Sequence, residues 1–105
     1  MDVVRKPLAY ICSPYSGDTE TNTVRARQFC RKAVDAGYIP LAPHLLFPQL
    51  LDEGTERDMA LEMDRELVRR CDFLLVCGNT VTAGMEKEIG LARALGMRVM
   101  HLTEE

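Results

Sequence analysis

The chain has no tryptophan, and aromatics make up 6% of its 105 residues. Burial must therefore come from aliphatic and sulfur-containing side chains. It has no basic block, and its net charge is −3. A phosphate-neutralising face for a nucleic acid polymer is excluded on that ground. No apolar run approaches the ~18 residues that a membrane span requires. The first residues, MDVVRKP, contain no apolar signal-type stretch, so the expected setting is the cytoplasm. Cys12, Cys30, Cys71 and Cys77 show no CxxC spacing and read as reduced thiols; Cys12 and Cys77 fall in apolar runs as small hydrophobes. With His44 and His101 as the only histidines, no metal-ligand spacing exists, and no metal or cofactor is assigned. Neither GxGxxG nor GxxxxGK[ST] is present, which removes support for a dinucleotide fold or a P-loop.

What is present is an alternation of short apolar runs and amphipathic stretches, read as one domain over residues 1–105. Leu8–Cys12 (LAYIC) reads as a buried strand, followed by the turn-rich loop SPYSGDTETN. A helix starts between Thr19 and Asn22 and runs to Gly37, the expected C-terminal punctuation. Tyr38–Ala42 reads as a second strand, placed at a sheet edge because Pro40 has no N–H for the ladder. His44–Leu51 (HLLFPQLL) is apolar but broken by Pro48, which predicts short helical turns that cover a site or form an interface. Asp52–Thr55 is a break. Glu56–Arg70 is a helix with Met59, Ala60, Met63 and Leu67 on its apolar stripe. Cys71–Cys77, with Phe73–Cys77 as its apolar core, is a third strand. A helix over Ala83–Leu95 ends at Gly96, and Met97–Leu102 is a fourth strand.

Strands that alternate with helices predict an α/β fold: a flavodoxin- or Rossmann-like three-layer sandwich on a four- to five-stranded, mostly parallel sheet. Ligands of such sheets bind beyond the carboxyl ends of the strands. That rule gathers Ser13–Asp18, with Ser13, Pro14 and Tyr15; Ala42–His44; and the loop Gly78–Gly84 leading into Met85.

Among these residues Glu88 stands out. It lies one turn into the third helix, with Gly84, Met85, Leu91 and Ala92 as its helical neighbours. An oriented carboxylate there can attack an electrophilic sugar carbon or bind a ribose hydroxyl; the alternative is a solvated helix glutamate paired with a cation. Asp64 has only Ala60, Leu61, Leu67 and Val68 around it, so it is either a general acid or base, or a carboxylate bonded to loop backbone. Tyr10 could orient a carboxylate through its hydroxyl, and Tyr15 could stack on a base; either could equally be a core tyrosine. His44 contacts a ligand or caps the following turn. Thr82 and Gly84 sit where a helix N-terminus can hold an anion, or where Thr82 is a plain N-cap.

Three stretches together resemble a known family: AYICSPYSGD (Ala9–Asp18), DRELVRRCD (Asp64–Asp72) and GMEKEIGLA (Gly84–Ala92). The chain resembles the nucleoside 2-deoxyribosyltransferase-like superfamily, which includes the 2′-deoxynucleoside 5′-phosphate N-hydrolases. The resemblance implies a flavodoxin-like fold assembled as a homodimer or larger, and a nucleoside or nucleotide as the small-molecule partner. It implies Glu88 as the nucleophile at the anomeric carbon, Asp64 as the carboxylate that assists base departure, and Tyr10 as the residue that positions the nucleophile. Thr82 and Gly84 match the phosphate-binding loop of the hydrolases. Departures from the hydrolase pattern are Glu86 in place of a glycine, Lys87 in place of a tyrosine and Ser16 in place of an arginine; all three bear on the 5′-phosphate. The leading expectation is an N-glycosidic hydrolase or deoxyribosyltransferase. The alternatives are a non-catalytic nucleotide-binding or sensing module and a structural oligomerisation domain.

Overall fold

The structure is a computed structural model and describes residues 5–103. Four strands, β1 (Leu8–Cys12), β2 (Ile39–Leu41), β3 (Phe73–Cys77) and β4 (Arg98–Leu102), form one sheet in the order β2-β1-β3-β4. Every pairing is parallel. Three α-helices connect them: α1 (Thr19–Asp35), α2 (Arg57–Arg70) and α3 (Ala83–Ala94). Two 3-10 turns, Pro43–Leu45 and Phe47–Gln49, follow β2. The expected α/β sandwich is observed, with four strands and no antiparallel member among the described residues.

The period-2 alternation of the strands sorts the core into two layers. Tyr10, Cys12, Leu74 and Val76 face Val68 of α2 and Met85, Ile89 and Ala92 of α3. Ala9, Ile11, Phe73, Leu75 and Cys77 face Phe29 and Ala33 of α1. β3 is buried along its whole length, as a central parallel strand must be. Pro40 sits on the edge strand β2, as its missing N–H demands.

The boundaries tighten by a residue or two. Tyr38 stays outside β2 because its N–H closes α1 onto the Ala33 carbonyl at 3.0 Å, around Gly37 at φ +92°. That left-handed position favours glycine. Cys71 belongs to the α2 C-cap, with its N–H on the Val68 carbonyl, so the third strand starts at Phe73 rather than at Cys71. The Asp72 carboxylate accepts from the Leu8 N–H at 2.7 Å and ties the start of β1 to that of β3. No helix of the described residues is long and apolar enough to cross a membrane.

Candidate functional site

From β1 the chain crosses to β2 on one side, and β3 lies on the other, so the strand order reverses between β1 and β3. Loops leaving the carboxyl ends there must diverge and leave a crevice. A cavity of about 600 Å³ lies there, walled by the loop after β1, the turns after β2, the inner side of α2 and the first turns of α3. Ser13, Tyr15, His44, Asp64, Thr82, Gly84, Met85 and Glu88 all line it. Two of the expected site residues do not. Pro14 is buried within the loop after β1, and Tyr10 lies beneath Glu88 within the core layer shared with α3.

Tyr10 is 2% exposed, and its hydroxyl donates a hydrogen bond to Glu88 Oε2. The register explains the contact. Tyr10 points from β1 towards α3, and Glu88 lies one turn beyond Met85, which packs in that same layer. Burial pushes the Glu88 carboxyl up from its ordinary 4.5 to about 7. The hydrogen bond from Tyr10 pulls it back down, and the nearby Asp64 charge pushes it up again. Burial and the same two carboxylates raise the Tyr10 phenol far above its usual range, so it stays a donor.

Asp64 comes from α2. Its Oδ1 is buried and has no hydrogen-bond partner. Desolvation raises its carboxyl from 3.8 to about 6. A half-buried carboxylate with an unused oxygen is a costly arrangement that a donor from a ligand would relieve.

On another wall, Ser13 Oγ and His44 Nε2 are 3.1 Å apart, and the Tyr15 and His44 rings lie 5.6 Å centroid to centroid. Burial lowers the His44 pKa and favours its neutral form. The Tyr15 hydroxyl donates to Glu53 at 2.9 Å and links the loop after β1 to the lead-in of α2. Thr82 is the N-cap of α3: its Oγ accepts from the Met85 N–H at 3.2 Å, while its own N–H meets Met85 Sδ at 3.4 Å. Glu86 is exposed and does not line the cavity, whereas Lys87 does. The HLLFPQLL segment divides its faces: Phe47, Pro48 and Leu51 line the cavity, and Leu46 and Leu50 are exposed. Among the described residues, no group of three or more His, Cys, Asp and Glu side chains could hold a metal ion.

Cys12 packs in the core, as its apolar run suggested. The Ser13–His44 contact was missed: it spans 31 positions, and no signal in the sequence marks it.

The fold is similar to that of two solved 2-deoxyribosyltransferases. It is similar to the 2-deoxyribosyltransferase of the psychrotolerant bacterium Bacillus psychrosaccharolyticus, with a TM-score of 0.65 and 22% identity over 91% of this chain and 72% of that one. It is similar also to the 2-deoxyribosyltransferase of Leishmania mexicana, with a TM-score of 0.64 and 17% identity over 94% of this chain; it spans 65% of that protein's length. Both likenesses are likenesses of fold. Among curated proteins none matches the sequence. The chain belongs to the family described as Domain of unknown function (DUF7768), which it matches over residues 7–102.

Proposed function

We propose that this protein cleaves the N-glycosidic bond of a 2′-deoxynucleoside or its monophosphate, with Glu88 as nucleophile and Asp64 as general acid and base. The observation that carries the reading is one cavity lined by both carboxylates, one braced by a buried tyrosine and the other with a buried oxygen left unpaired. The deoxyribosyltransferase fold of the two structural neighbours supports the same chemistry.

The Glu88 carboxylate attacks C1′ of the sugar. The C1′–N bond breaks, its electron pair passes to the base, and the base takes a proton from Asp64. A glycosyl ester on Glu88 results. Water, or a second base, then attacks C1′ and gives its proton to the Asp64 carboxylate, which frees Glu88. The productive state has Glu88 ionised and Asp64 protonated. In the empty site Glu88, near 7, holds its proton to higher pH than Asp64, near 6. The Tyr10 donor on Glu88 opposes that distribution and favours the productive one. Ser13, His44 and Tyr15 form the wall against which the substrate rests, and Thr82, Gly84 and Met85 shape the opposite end.

Incubation with a panel of 2′-deoxynucleosides and their 5′-monophosphates, read by chromatography of the free base, tests the proposal. Base release that disappears in Glu88→Ala, with the fold retained by circular dichroism, supports it. No release across the panel, or undiminished release by Glu88→Ala, overturns it. Thermal stabilisation by a nucleotide without any product marks a binding module instead. Assembly into a homodimer or larger belongs to the same proposal; Leu46 and Leu50 are exposed apolar residues for such a contact, and light scattering that found only monomer would remove it.

A further inference from the structure

Ser13 is the one buried polar side chain among the described residues, at 6% exposed, and the wall role given above leaves its hydroxyl without a task. Its Oγ lies 3.1 Å from His44 Nε2, the hydrogen-bond partner it has among those residues. The sheet sets this contact. β1 and β2 pair at a constant offset of 31 positions, from Leu8 opposite Ile39 to Tyr10 opposite Leu41, and Ser13 with His44 keeps the same offset beyond the last pair. The two side chains therefore stand just past the carboxyl ends of two hydrogen-bonded strands, and both line the cavity. Tyr15 lies against the imidazole with its ring tilted by 41°.

A hydroxyl this enclosed must give its hydrogen to an acceptor, and the acceptor in reach is His44 Nε2. Nε2 then carries the lone pair, and the ring hydrogen of the neutral imidazole sits on Nδ1. Burial lowers the His44 pKa, which keeps the ring neutral and its two nitrogens distinct. Nδ1 has no hydrogen bond to a described residue and is not an enclosed atom, while the imidazole borders the cavity. The ring thus caps no backbone group of the turn in which it lies.

We propose that Ser13 is a positioning residue that fixes His44 as its Nδ1–H tautomer, so that the neutral imidazole offers the cavity a hydrogen-bond donor and takes an acceptor oxygen of the ligand. This deepens the glycosidase reading and rests on it for the identity of the ligand, though not for the tautomer. The two tautomers ask for opposite partners. Nδ1–H selects a carbonyl or hydroxyl oxygen; the Nε2–H form would turn its hydrogen to Ser13 and leave Nδ1 to accept from an amino group.

The tautomer is read directly by long-range ¹H–¹⁵N correlation of the histidine rings in untagged protein at about pH 8, above the ordinary histidine range. His44 and His101 are the only histidines, so His101→Gln assigns the signals. The wild type should show a lone-pair nitrogen at Nε2 and an N–H nitrogen at Nδ1. Ser13→Ala should move His44 towards the Nε2–H form that free histidine prefers, and Ser13→Thr, which keeps the hydroxyl, should hold the Nδ1–H form. A wild type in the Nε2–H form overturns the proposal, and so does an alanine variant that keeps Nδ1–H unchanged. If the alanine variant does not fold, the wild-type spectrum decides alone. With a substrate in hand, Ser13→Ala should raise KM by about fivefold or more and leave kcat little changed. A 3′-deoxy substrate and one whose base lacks a carbonyl locate the oxygen: the analogue without it no longer responds to the substitution. An equal response from every analogue overturns the donor role. The predicted tautomer without any base release would leave the Ser13–His44 pairing standing and sink only the glycosidase reading. Base release with His44 in the Nε2–H form would do the reverse.

Discussion

Glu88 is the residue on which the account turns, and its ionisation has a cost. A carboxyl with a folded value near 7 and an ordinary value of 4.5 binds protons more tightly folded than unfolded. Its penalty is absent below about pH 4.5, grows between about pH 4.5 and 7, and is full above that. Glu88→Gln keeps an acceptor for Tyr10 and removes the charge. It should therefore raise stability at pH 8 by up to about 3 kcal/mol, while the gain vanishes near pH 4.5. Denaturation with urea at both pH values measures this; an equal effect at the two would contradict the ionisation argument. Tyr10→Phe removes the hydroxyl donor, so the acidic limb of the pH–rate profile should move to higher pH and the maximal rate fall by about 10- to 100-fold. Asp64→Asn should slow loss of the base and remove the basic limb, because no acid is left there to ionise.

Glu88 is held in place by α3, and α3 by its start. Thr82 caps it and ties Met85, the fully buried residue that anchors the first turn under β1 and β3. Thr82→Ala should cost about 1 kcal/mol in chemical denaturation, and base release should fall more than stability does, because the freed turn carries the cavity wall. An alanine variant with full stability would show the cap to be idle. At this scale much was legible. Phe73–Cys77 is unbroken and apolar, Gly37 and Gly96 end helices, and Pro40 assigns an edge, all from local sequence. Glu88 and Asp64 stood out because each breaks the polarity of its own helix face. The contacts between elements were not legible. Ser13 with His44 and Tyr15 with Glu53 are 31 and 38 residues apart, and nothing in either member marks the other. Cys12 was read as a small hydrophobe and packs as one, with its thiol against the Met85 carbonyl.

The whole molecule supplies what no segment has alone. A parallel sheet whose order reverses between β1 and β3 leaves a crevice over its carboxyl edge, and the chain delivers one carboxylate to that crevice from α2 and another from α3. Both are raised by burial there, so the cavity that admits the substrate also sets the proton traffic. The pH–rate profile should accordingly be a narrow bell between slightly acid and neutral pH, falling on the acid side as Glu88 protonates and on the basic side as Asp64 ionises. A flat profile from pH 5 to 8 would contradict the roles given to the two carboxylates.

The most direct measurement is the mass of the intact protein after rapid quenching in acid during turnover of a 2′-deoxynucleoside that proves to be a substrate, or of its slow 2′-fluoro analogue. The account predicts a gain equal to one sugar residue without its base, and peptide mapping should place that gain on Glu88. Base release with no adduct under any quench, or an adduct on another residue, would contradict Glu88 as the nucleophile.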